Sequence, residues 1–356
     1  MAEDGALSKS RFAGAYRMML AVILLLLIVL FVLPFVPGIW EFRKRQDAAP
    51  LFVSMDYHKY PRYFASSFRK KLIDSLNDPH AAEGHRELQL SKREQVQIID
   101  QADFPPGTSV EHILYVSRDL ASGDSVALRK EVYVRGSARI GPRNRLQALA
   151  ADGDISIGRG TRFLRWLDAE GSVHADEACR LGIDAACGGA FAIGRFCSFM
   201  RLFGLPVQAG ELPAGDDEAR DRAGAVEVQV PSDSIERNPA SIPPLSLKSA
   251  SIISAESLTV GDYSVIRGHI KAHRDLVLGT HVTVTGNLFA EGSIEIGADS
   301  MIFGTIFSQQ RVVIRASAQI GTKDRIKSVI GKKGVVLEQG ARVYGLVMTE
   351  GKGLIA

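Results

Sequence analysis

The chain has little cysteine, few aromatic residues and almost no net charge for its 356 residues. Its three cysteines, Cys179, Cys187 and Cys197, are an odd number and form no CxxC pair. This pattern argues against a disulfide framework and against a zinc site, and it fits a reducing compartment. A formal net charge of +3 is too small to indicate a general attraction to nucleic acid. With 34 glycines and 7% aromatic residues, the composition suits a chain rich in strands and turns.

The sequence motifs that mark common catalytic and nucleotide-binding sites are also missing. The chain has no GxxxxGK[ST] phosphate loop, no GxSxG nucleophile elbow, no HExxH metalloprotease helix and no GxGxxG turn after a strand. We therefore predict no catalytic residue, no cofactor and no metal ion, and we expect that the protein is not an enzyme.

One long hydrophobic run is present, from Met18 to Trp40, and it contains no charged residue. At about 1.5 Å per residue, a helix over this run would cross a hydrocarbon core of roughly 30 Å. A cleaved signal peptide is the alternative, but the run is longer than the usual apolar region of such peptides and lacks a small-x-small cleavage pattern. The sequence therefore predicts a single transmembrane helix over residues 18–40, after an N-terminal tail at residues 1–17.

Basic residues flank this run unequally, with more of them on its C-terminal side. Because cytoplasmic flanks are enriched in lysine and arginine, the imbalance favours a cytoplasmic C-terminal body on the bacterial inner membrane. The basic residues are Lys9, Arg11 and Arg17 before the run, and Arg43, Lys44, Arg45, Lys59 and Arg62 after it.

Residues 41–130 are predicted to hold a membrane-proximal helix and a small β-rich region. Apolar residues recur at every fourth position in YPRYFASSFRKKLIDSL, as on one face of a helix: Phe64, Phe68, Leu72 and Leu76. The remaining positions carry basic residues that would contact anionic membrane lipid or, alternatively, water: Arg62, Arg69, Lys70 and Lys71. Alternating apolar and polar residues then follow on both sides of an ASGDS turn, as in β-strands.

Two blocks of the chain repeat with an interval of 18 residues. Windows that begin at Glu256, Arg274, Gly292 and Gln310 place aliphatic residues in shared columns, and glycines recur at two positions of the window. The columns are Leu258, Leu276, Ile294 and Val312; Val260, Leu278, Ile296 and Ile314; and Ile266, Val284, Ile302 and Ile320. An earlier block keeps the interval in two columns: Ile155, Val173 and Phe191; and Ile157, Ala175 and Ile193.

A repeat of this length, with alternating apolar residues and glycine corners, predicts a mainly β fold. The expected architecture is a β-solenoid of about 18 residues per coil, in which stacked coils bury continuous aliphatic columns. We place the first β-helix block at residues 131–205 and the second at 251–350, before a C-terminal tail at 351–356. Residues 206–250 are acidic, contain several prolines and lose the repeat, so they are predicted to form a linker or loop.

Two classes of solenoid use this period and imply different functions. In the left-handed helix of hexapeptide-repeat acyltransferases, the position two residues before each aliphatic residue is a tight corner with a small side chain. Bulky residues such as Leu258, Ile270 and Leu276 occupy those positions here, which favours plain alternating strands.

The phrase GNLFAEGSIEIGADSMIFG at residues 286–304 resembles the coils of the bactofilins, the polymer-forming cytoskeletal proteins of bacteria. The resemblance is best over residues 286–321 and weaker over 153–205. It implies a right-handed β-helix that assembles end to end without nucleotide. On this resemblance we expect a membrane-tethered, self-assembling scaffold that localises envelope or cell-shape machinery. Its partners would be other copies of itself, membrane lipid and a protein cargo, but not nucleic acid.

Two alternatives remain open at this stage. A membrane-bound hexapeptide-repeat acyltransferase would need a histidine base, for which the candidates are His269, His273 and His281. A periplasmic, signal-anchored solenoid that binds an envelope component is the other.

The last coil, GVVLEQGARVYGLVMTEG, stays aliphatic almost to the end of the chain and shows no polar cap. Because the end of a solenoid exposes unpaired strand edges and a section of the core, such an end must be capped or must pair with another copy. The predicted self-association surface comprises Val343, Leu346, Val347 and Met348.

Overall fold

The computed structural model describes residues 19–36, 61–76, 87–91, 94–210 and 234–356. The chain divides into two compact units, Met1–Ala49 and Pro50–Ala356.

The first unit is described over residues 19–36 only. An α-helix (α1) occupies residues 19–32, and a 3-10 turn, Leu33–Phe35, follows it. Pro34 lies in this turn and has no backbone N–H with which to continue the helical hydrogen bonds. The described part of α1 therefore rises only about 21 Å, less than a hydrocarbon core of roughly 30 Å.

The predicted transmembrane helix over residues 18–40 is not supported by this part of the chain. In the five described ranges, no helix is both long enough and apolar enough to cross a membrane. Residues 18 and 37–40 of the predicted span lie outside the described residues.

The second unit contains, in its described residues, the helix α2 (Tyr63–Leu76) and 34 β-strands. The strands form two stacks of coils: the first stack, β2 to β16, follows a leading strand β1, and the second stack comprises β17 to β34. The strands up to the end of the first stack are β1 (Glu87–Ser91), β2 (Glu94–Ile99), β3 (Ala102–Phe104), β4 (Ser109–Val110), β5 (Ile113–Val116), β6 (Leu120–Ser122), β7 (Ala127–Val134), β8 (Ala138–Ile140), β9 (Arg145–Ala151), β10 (Ile155–Ile157), β11 (Arg162–Ala169), β12 (Val173–Ala175), β13 (Arg180–Leu181), β14 (Asp184–Cys187), β15 (Phe191–Ile193) and β16 (Ser198–Ala209).

The second stack consists of short strands up to its last coil, where β34 is long. These strands are β17 (Ile235–Arg237), β18 (Ser241–Ile242), β19 (Leu247–Lys248), β20 (Ser251–Ser254), β21 (Leu258–Val260), β22 (Val265–Ile266), β23 (Ile270–Ala272), β24 (Leu276–Leu278), β25 (Thr283–Val284), β26 (Leu288–Ala290), β27 (Ile294–Ile296), β28 (Met301–Ile302), β29 (Ile306–Ser308), β30 (Arg311–Ile314), β31 (Gln319–Ile320), β32 (Lys327–Gly331), β33 (Gly334–Leu337) and β34 (Arg342–Ile355).

Strands of successive coils pair in parallel, so that a residue lies beside the residue 18 positions further along the chain. In one such ladder Leu258 pairs with Leu276, which pairs in turn with Ile294. The described strands make about 13 turns of about 18 residues each. The mainly β solenoid that the repeat predicts is therefore confirmed.

The core of the solenoid is formed by the aliphatic columns that the sequence predicted. Every member of the three columns in the second stack is at most 2% exposed, and the two shorter columns of the first stack are equally buried. Each fully buried leucine or isoleucine contributes roughly 1.5–3 kcal/mol relative to an exposed one. The stacked columns are thus the main stabilising feature of the fold.

Tight corners between strands explain two further patterns in the sequence. One residue per coil adopts a left-handed conformation, for example Tyr263 and His281, with φ angles of 56° and 54°. A column of glycines has a different cause, which is steric. A Cβ on Gly304 would lie 2.0 Å from the carbonyl oxygen of Gly286 in the preceding coil. Close approach of neighbouring coils, rather than an unusual φ angle, requires glycine at that position.

The solenoid extends beyond the two blocks that the repeat marks. Parallel pairing already begins with β2 on β5, where Val96 lies beside Ile113, so residues 94–130 form coils. Within the predicted linker at 206–250, β16 runs to Ala209 and β17 starts at Ile235, whereas residues 211–233 lie outside the described residues. The predicted tail at 351–356 contributes to β34, which ends at Ile355.

Candidate functional site

The two stacks of coils meet at their C-terminal ends. Strand β16, in the last coil of the first stack, runs antiparallel to β34, in the last coil of the second stack. Leu202 pairs with Val347 in this junction and Phe203 pairs with Leu346. Leu202 and Val347 are both completely buried, so each stack covers the end of the other's core.

This junction occupies the surface that the sequence analysis assigned to self-association. The last coil needs no polar cap because a coil of the same chain covers it. The four predicted contact residues have the following partners: Val343 pairs with Val207, Leu346 with Phe203, Val347 with Leu202, and Met348 with Arg201. That edge is therefore closed within the chain and is not open to a second copy.

The outer end of the first stack is covered by the leading strand. Strand β1 pairs antiparallel with β2, along the edge of β2 that faces away from the other coils. Gln97 of β2 pairs with Leu114, a member of the core, and thus puts a polar residue at the end of an aliphatic column. The core is therefore not exposed along β2.

An ion pair crosses the outer end of the second stack. Glu236 pairs in register with Ile252 and Lys248 with Ile266, two residues that are completely buried in the core. The Nζ atom of Lys248 lies 2.9 Å from Oε2 of Glu236 and 3.1 Å from Oε1, and both side chains are half-buried. This coil thus replaces two core positions by a charge pair, as expected of a polar terminal repeat.

Proline occupies the same coil position at both outer ends. In most interior coils this position is a glycine whose N–H donates to the preceding coil, as Gly261 does to the carbonyl of Ile242, and in three coils it is Asp176, Arg315 or Glu338. Register places Pro243 one coil before Gly261, and Pro105 one coil before Gly123. Because proline has no N–H, neither outer edge carries an unpaired donor at this corner, and strand addition there is disfavoured.

Helix α2 packs against one face of the first stack. Its buried residues, Ala65 and Leu72, join a cluster with Tyr133 and Trp166 of the solenoid. The ring of Phe68 lies 5.6 Å from that of Trp166. The helix thus covers an aromatic surface of the coils.

Two arginines of α2 bind a buried carboxylate in the solenoid. Arg62 donates two hydrogen bonds of 2.7 Å to Asp168 and one of 2.8 Å to Glu170. Arg69 donates to the same Asp168, to Asp152 at 3.2 Å and to the carbonyl of Ala151 at 2.7 Å. Asp168 is 1% exposed and Arg69 is 7% exposed, so this is a desolvated charge cluster whose members all have partners.

The charge cluster changes the titration of its neighbours. The hydrogen bond from Arg62 holds the pKa of Glu170 below its ordinary value. Burial, and secondarily a hydrogen bond to Asp152, raises the pKa of Tyr133.

The four basic residues predicted to contact membrane lipid therefore separate into two groups. Arg62 and Arg69 bind the solenoid, because a planar guanidinium can satisfy a buried carboxylate through several hydrogen bonds at once. Lys70 and Lys71 remain exposed on the opposite side of α2.

The three histidines that an acyltransferase would need are held in different environments. Nδ1 of His269 accepts a hydrogen bond of 3.0 Å from the N–H of Asn287, and burial lowers the pKa of His269. Nδ1 of His273 lies 2.7 Å from Glu291, and its Nε2 is buried. His281 stacks on Tyr263, with ring centroids 4.6 Å apart. A general base must reach the proton that it abstracts, and His273 presents neither ring nitrogen to a substrate.

The three cysteines are free thiols in the core of the first stack. Cys179 and Cys197 lie one coil apart, and the backbone N–H of Cys179 is 3.3 Å from the sulfur of Cys197. Burial raises the pKa of Cys187 to about 12. The cysteines thus occupy the inward positions of small hydrophobic residues.

An open groove of about 550 Å³ lies beside the junction of the two stacks. It is lined by His174 and by charged side chains of both signs: Arg159, Asp176, Glu177 and Arg195. In the part of the chain that the structure describes, no group of three histidine, cysteine or carboxylate side chains is placed to hold a metal ion.

Known proteins provide no close match for this arrangement. No protein-family model, no curated protein and no solved structure matches the chain.

Proposed function

We propose that the protein is a bactofilin-like scaffold of fixed length, which needs no nucleotide and localises envelope or cell-shape machinery at the bacterial inner membrane. The proposed coil is right-handed, because bulky residues occupy the corners that a left-handed hexapeptide helix reserves for small ones. The observation that carries the proposal is the closure of the coil ends. The two stacks have four ends in all. The two C-terminal ends pair with each other, β1 covers part of the outer end of the first stack, and the ion pair of Glu236 and Lys248 crosses the outer end of the second stack.

A rod that is closed in this way supports a scaffold of defined length. About 13 coils at a spacing of about 4.8 Å extend roughly 60 Å. The end-to-end self-assembly expected from the family resemblance is not part of this proposal, because the last coil that was expected to associate is already paired. Partners would instead bind the side faces of the coils.

Electron microscopy and light scattering of the full chain, purified without nucleotide, test the proposal. We expect discrete particles that contain no filaments. The double variant Glu236→Leu and Lys248→Leu removes the polar cap, and we expect it to associate through the exposed core. A matched control replaces Glu256 and Arg274 by leucine, since this ion pair is about two-thirds exposed on the side of the solenoid. Filaments of the unmodified chain would refute the fixed-length scaffold.

Membrane attachment is proposed for the apolar segment at residues 19–36, with the solenoid on the cytoplasmic side. All of these side chains are exposed and none is charged, so a lipid environment would remove a large apolar area from water. We expect the full chain to float with membranes after carbonate extraction and a variant without residues 1–49 to stay in the supernatant. A C-terminal reporter that works only in the cytoplasm should be active, and activity of a periplasm-only reporter would reverse this orientation.

The acyltransferase alternative is separated from the scaffold by histidine variants. His269→Ala and His281→Ala are expected to leave cellular function intact. Loss of function in either variant, with unchanged thermal stability, would replace the scaffold by the acyltransferase.

A further inference from the structure

The side of helix α2 that faces away from the solenoid carries aromatic and basic residues together with one exposed carboxylate, Asp74. Tyr63 is 59% exposed, Phe64 is 52% exposed and Ile73 is 39% exposed. Their neighbours Lys70 and Lys71 are exposed as well. We call these five residues the outer face of α2.

The outer face is held in a fixed position by the opposite side of the same helix. The ion pairs of Arg62 and Arg69 with Asp168, and the buried contacts of Leu72, attach α2 to the coils. Exposure of Tyr63 and Phe64 is therefore not a consequence of a loose helix. Their rings also contact each other in an edge-on arrangement, with centroids 5.7 Å apart.

The chemistry of this face fits the interface of a lipid bilayer. Tyrosine places an apolar ring and a hydroxyl at the depth of the headgroups, and exposed lysines are attracted to anionic lipids. Asp74 is exposed on the same side of the helix, but among the described residues no carboxylate forms a salt bridge with Lys70 or Lys71, so both ammonium groups are available to a headgroup. Only 26 residues of the sequence separate the uncharged segment at 19–36 from Tyr63.

We propose that the outer face of α2 binds the anionic headgroups of a membrane and so lays the first stack against the bilayer. This inference rests on the proposed membrane attachment and adds a second contact to it. The two arginines orient the helix on the solenoid, and the two lysines together with Tyr63 and Phe64 contact the lipid.

Fluorescence quenching in vesicles tests this contact in the full chain. In a Trp40→Phe background, Tyr63→Trp places a probe on the outer face, while Tyr263→Trp places one with nearly equal exposure, 57%, on the second stack. The vesicles contain phosphatidylglycerol and a lipid brominated near the headgroup. We expect the probe at position 63 to be quenched and the probe at position 263 to give only the background of Trp166.

Charge reversal then identifies the headgroup interaction. Lys70→Glu with Lys71→Glu should abolish quenching at position 63, because two attractive charges become repulsive. The matched control is Lys332→Glu with Lys333→Glu, two adjacent exposed lysines on the second stack, and it should leave the quenching unchanged. Vesicles of phosphatidylcholine alone should quench the probe much less than the anionic vesicles do.

The outcomes separate this inference from the proposed function. Binding of the chain to vesicles without quenching at position 63 would overturn the outer-face contact and leave membrane attachment standing. Equal quenching in neutral and anionic vesicles, or in both charge-reversal variants, would overturn the role of the lysines. A chain that does not bind vesicles at all would overturn both the attachment and the contact.

Discussion

Replacing Arg69 by methionine tests whether the buried charge cluster holds α2 on the solenoid. Methionine keeps most of the length and the apolar character of the arginine stem but removes the guanidinium. The change leaves Asp168, which is 1% exposed, with Arg62 as its remaining cationic partner. It also removes the hydrogen bonds to Asp152 and to the carbonyl of Ala151. We expect α2 to detach while the coils remain folded.

The size of the effect follows from the burial of the cluster. Leaving a buried charge without any partner costs about 3–5 kcal/mol. Because Asp168 keeps its two hydrogen bonds from Arg62, we expect a cost at the lower end of that range, about 3 kcal/mol. A loss of that size lowers the equilibrium constant for docking of α2 roughly 100-fold. An exposed pair contributes only about 0.2–1 kcal/mol, so the same substitution at the surface should have little effect.

Tryptophan fluorescence measures this detachment. The chain has two tryptophans, and in a Trp40→Phe background the signal comes from Trp166 alone. Trp166 is 6% exposed and packs on Phe68 of α2, so detachment should shift its emission to longer wavelength. Trypsin should also cleave the released helix faster at its basic residues. Far-ultraviolet circular dichroism reports whether the solenoid itself remains folded.

Arg143→Met is the matched control, since Arg143 pairs with Asp124 at the surface and its side chain is 68% exposed. We expect its Trp166 emission and its rate of trypsin cleavage to equal those of the unmodified chain. The reasoning fails if Arg69→Met gives the same emission maximum and the same cleavage rate as this control.

Three further predictions concern the core, the thiols and the pH dependence. Leu278→Asp should lower the melting temperature by several degrees, because it buries a carboxyl group. Val277→Asp, in the same strand but at a position that is 37% exposed, should change the melting temperature little. Equal melting temperatures of the two variants would contradict the assignment of Leu278 to a buried column. All three thiols should resist Ellman's reagent in the folded protein and react after unfolding, and fast reaction of any thiol in native buffer would contradict its burial. The hydrogen bond from Arg62 lowers the pKa of Glu170 in the folded state. Docking of α2 is therefore stabilised at pH values above the unfolded pKa of Glu170, near 4.5, and should weaken as the pH falls below that value. Glu170→Gln should remove this pH dependence, as measured by Trp166 emission.

The periodic part of the fold could be predicted from the sequence because each coil repeats the same constraint. Ile294 and Ile296 lie in columns whose every member must be aliphatic, and Gly304 lies where a Cβ would meet the preceding coil. The terminal coils obey other constraints, so the repeat is lost there. Pro105 and Pro243 stand where most interior coils have glycine, and in the described residues no preceding coil is present to accept an N–H at that corner.

The contacts between distant parts of the chain could not be predicted from a local pattern. Arg62, Arg69, Lys70 and Lys71 have similar charge in the sequence, and only the position of Asp168, about 100 residues away, separates the arginines from the lysines. The junction of β16 with β34 likewise pairs residues 134 to 156 positions apart in the chain, in strands that are both apolar and both without a cap. The sequence did hold one indication of this junction, because both strands lack a polar cap and two uncapped ends in one chain can cover each other.

The antiparallel junction also explains why the two outer ends resemble each other. A single stack would expose one N-terminal and one C-terminal edge, at which the N–H and C=O groups of different coil positions are unpaired. Because the two stacks meet at their C-terminal ends, both outer edges are N-terminal ones, and the donor that must be removed occupies the same coil position in each. Pro105 and Pro243 fill that position in their respective stacks. Proline therefore serves both ends at this one corner, whereas the rest of each end is covered differently: β1 pairs with the first outer edge, and the ion pair of Glu236 and Lys248 crosses the second.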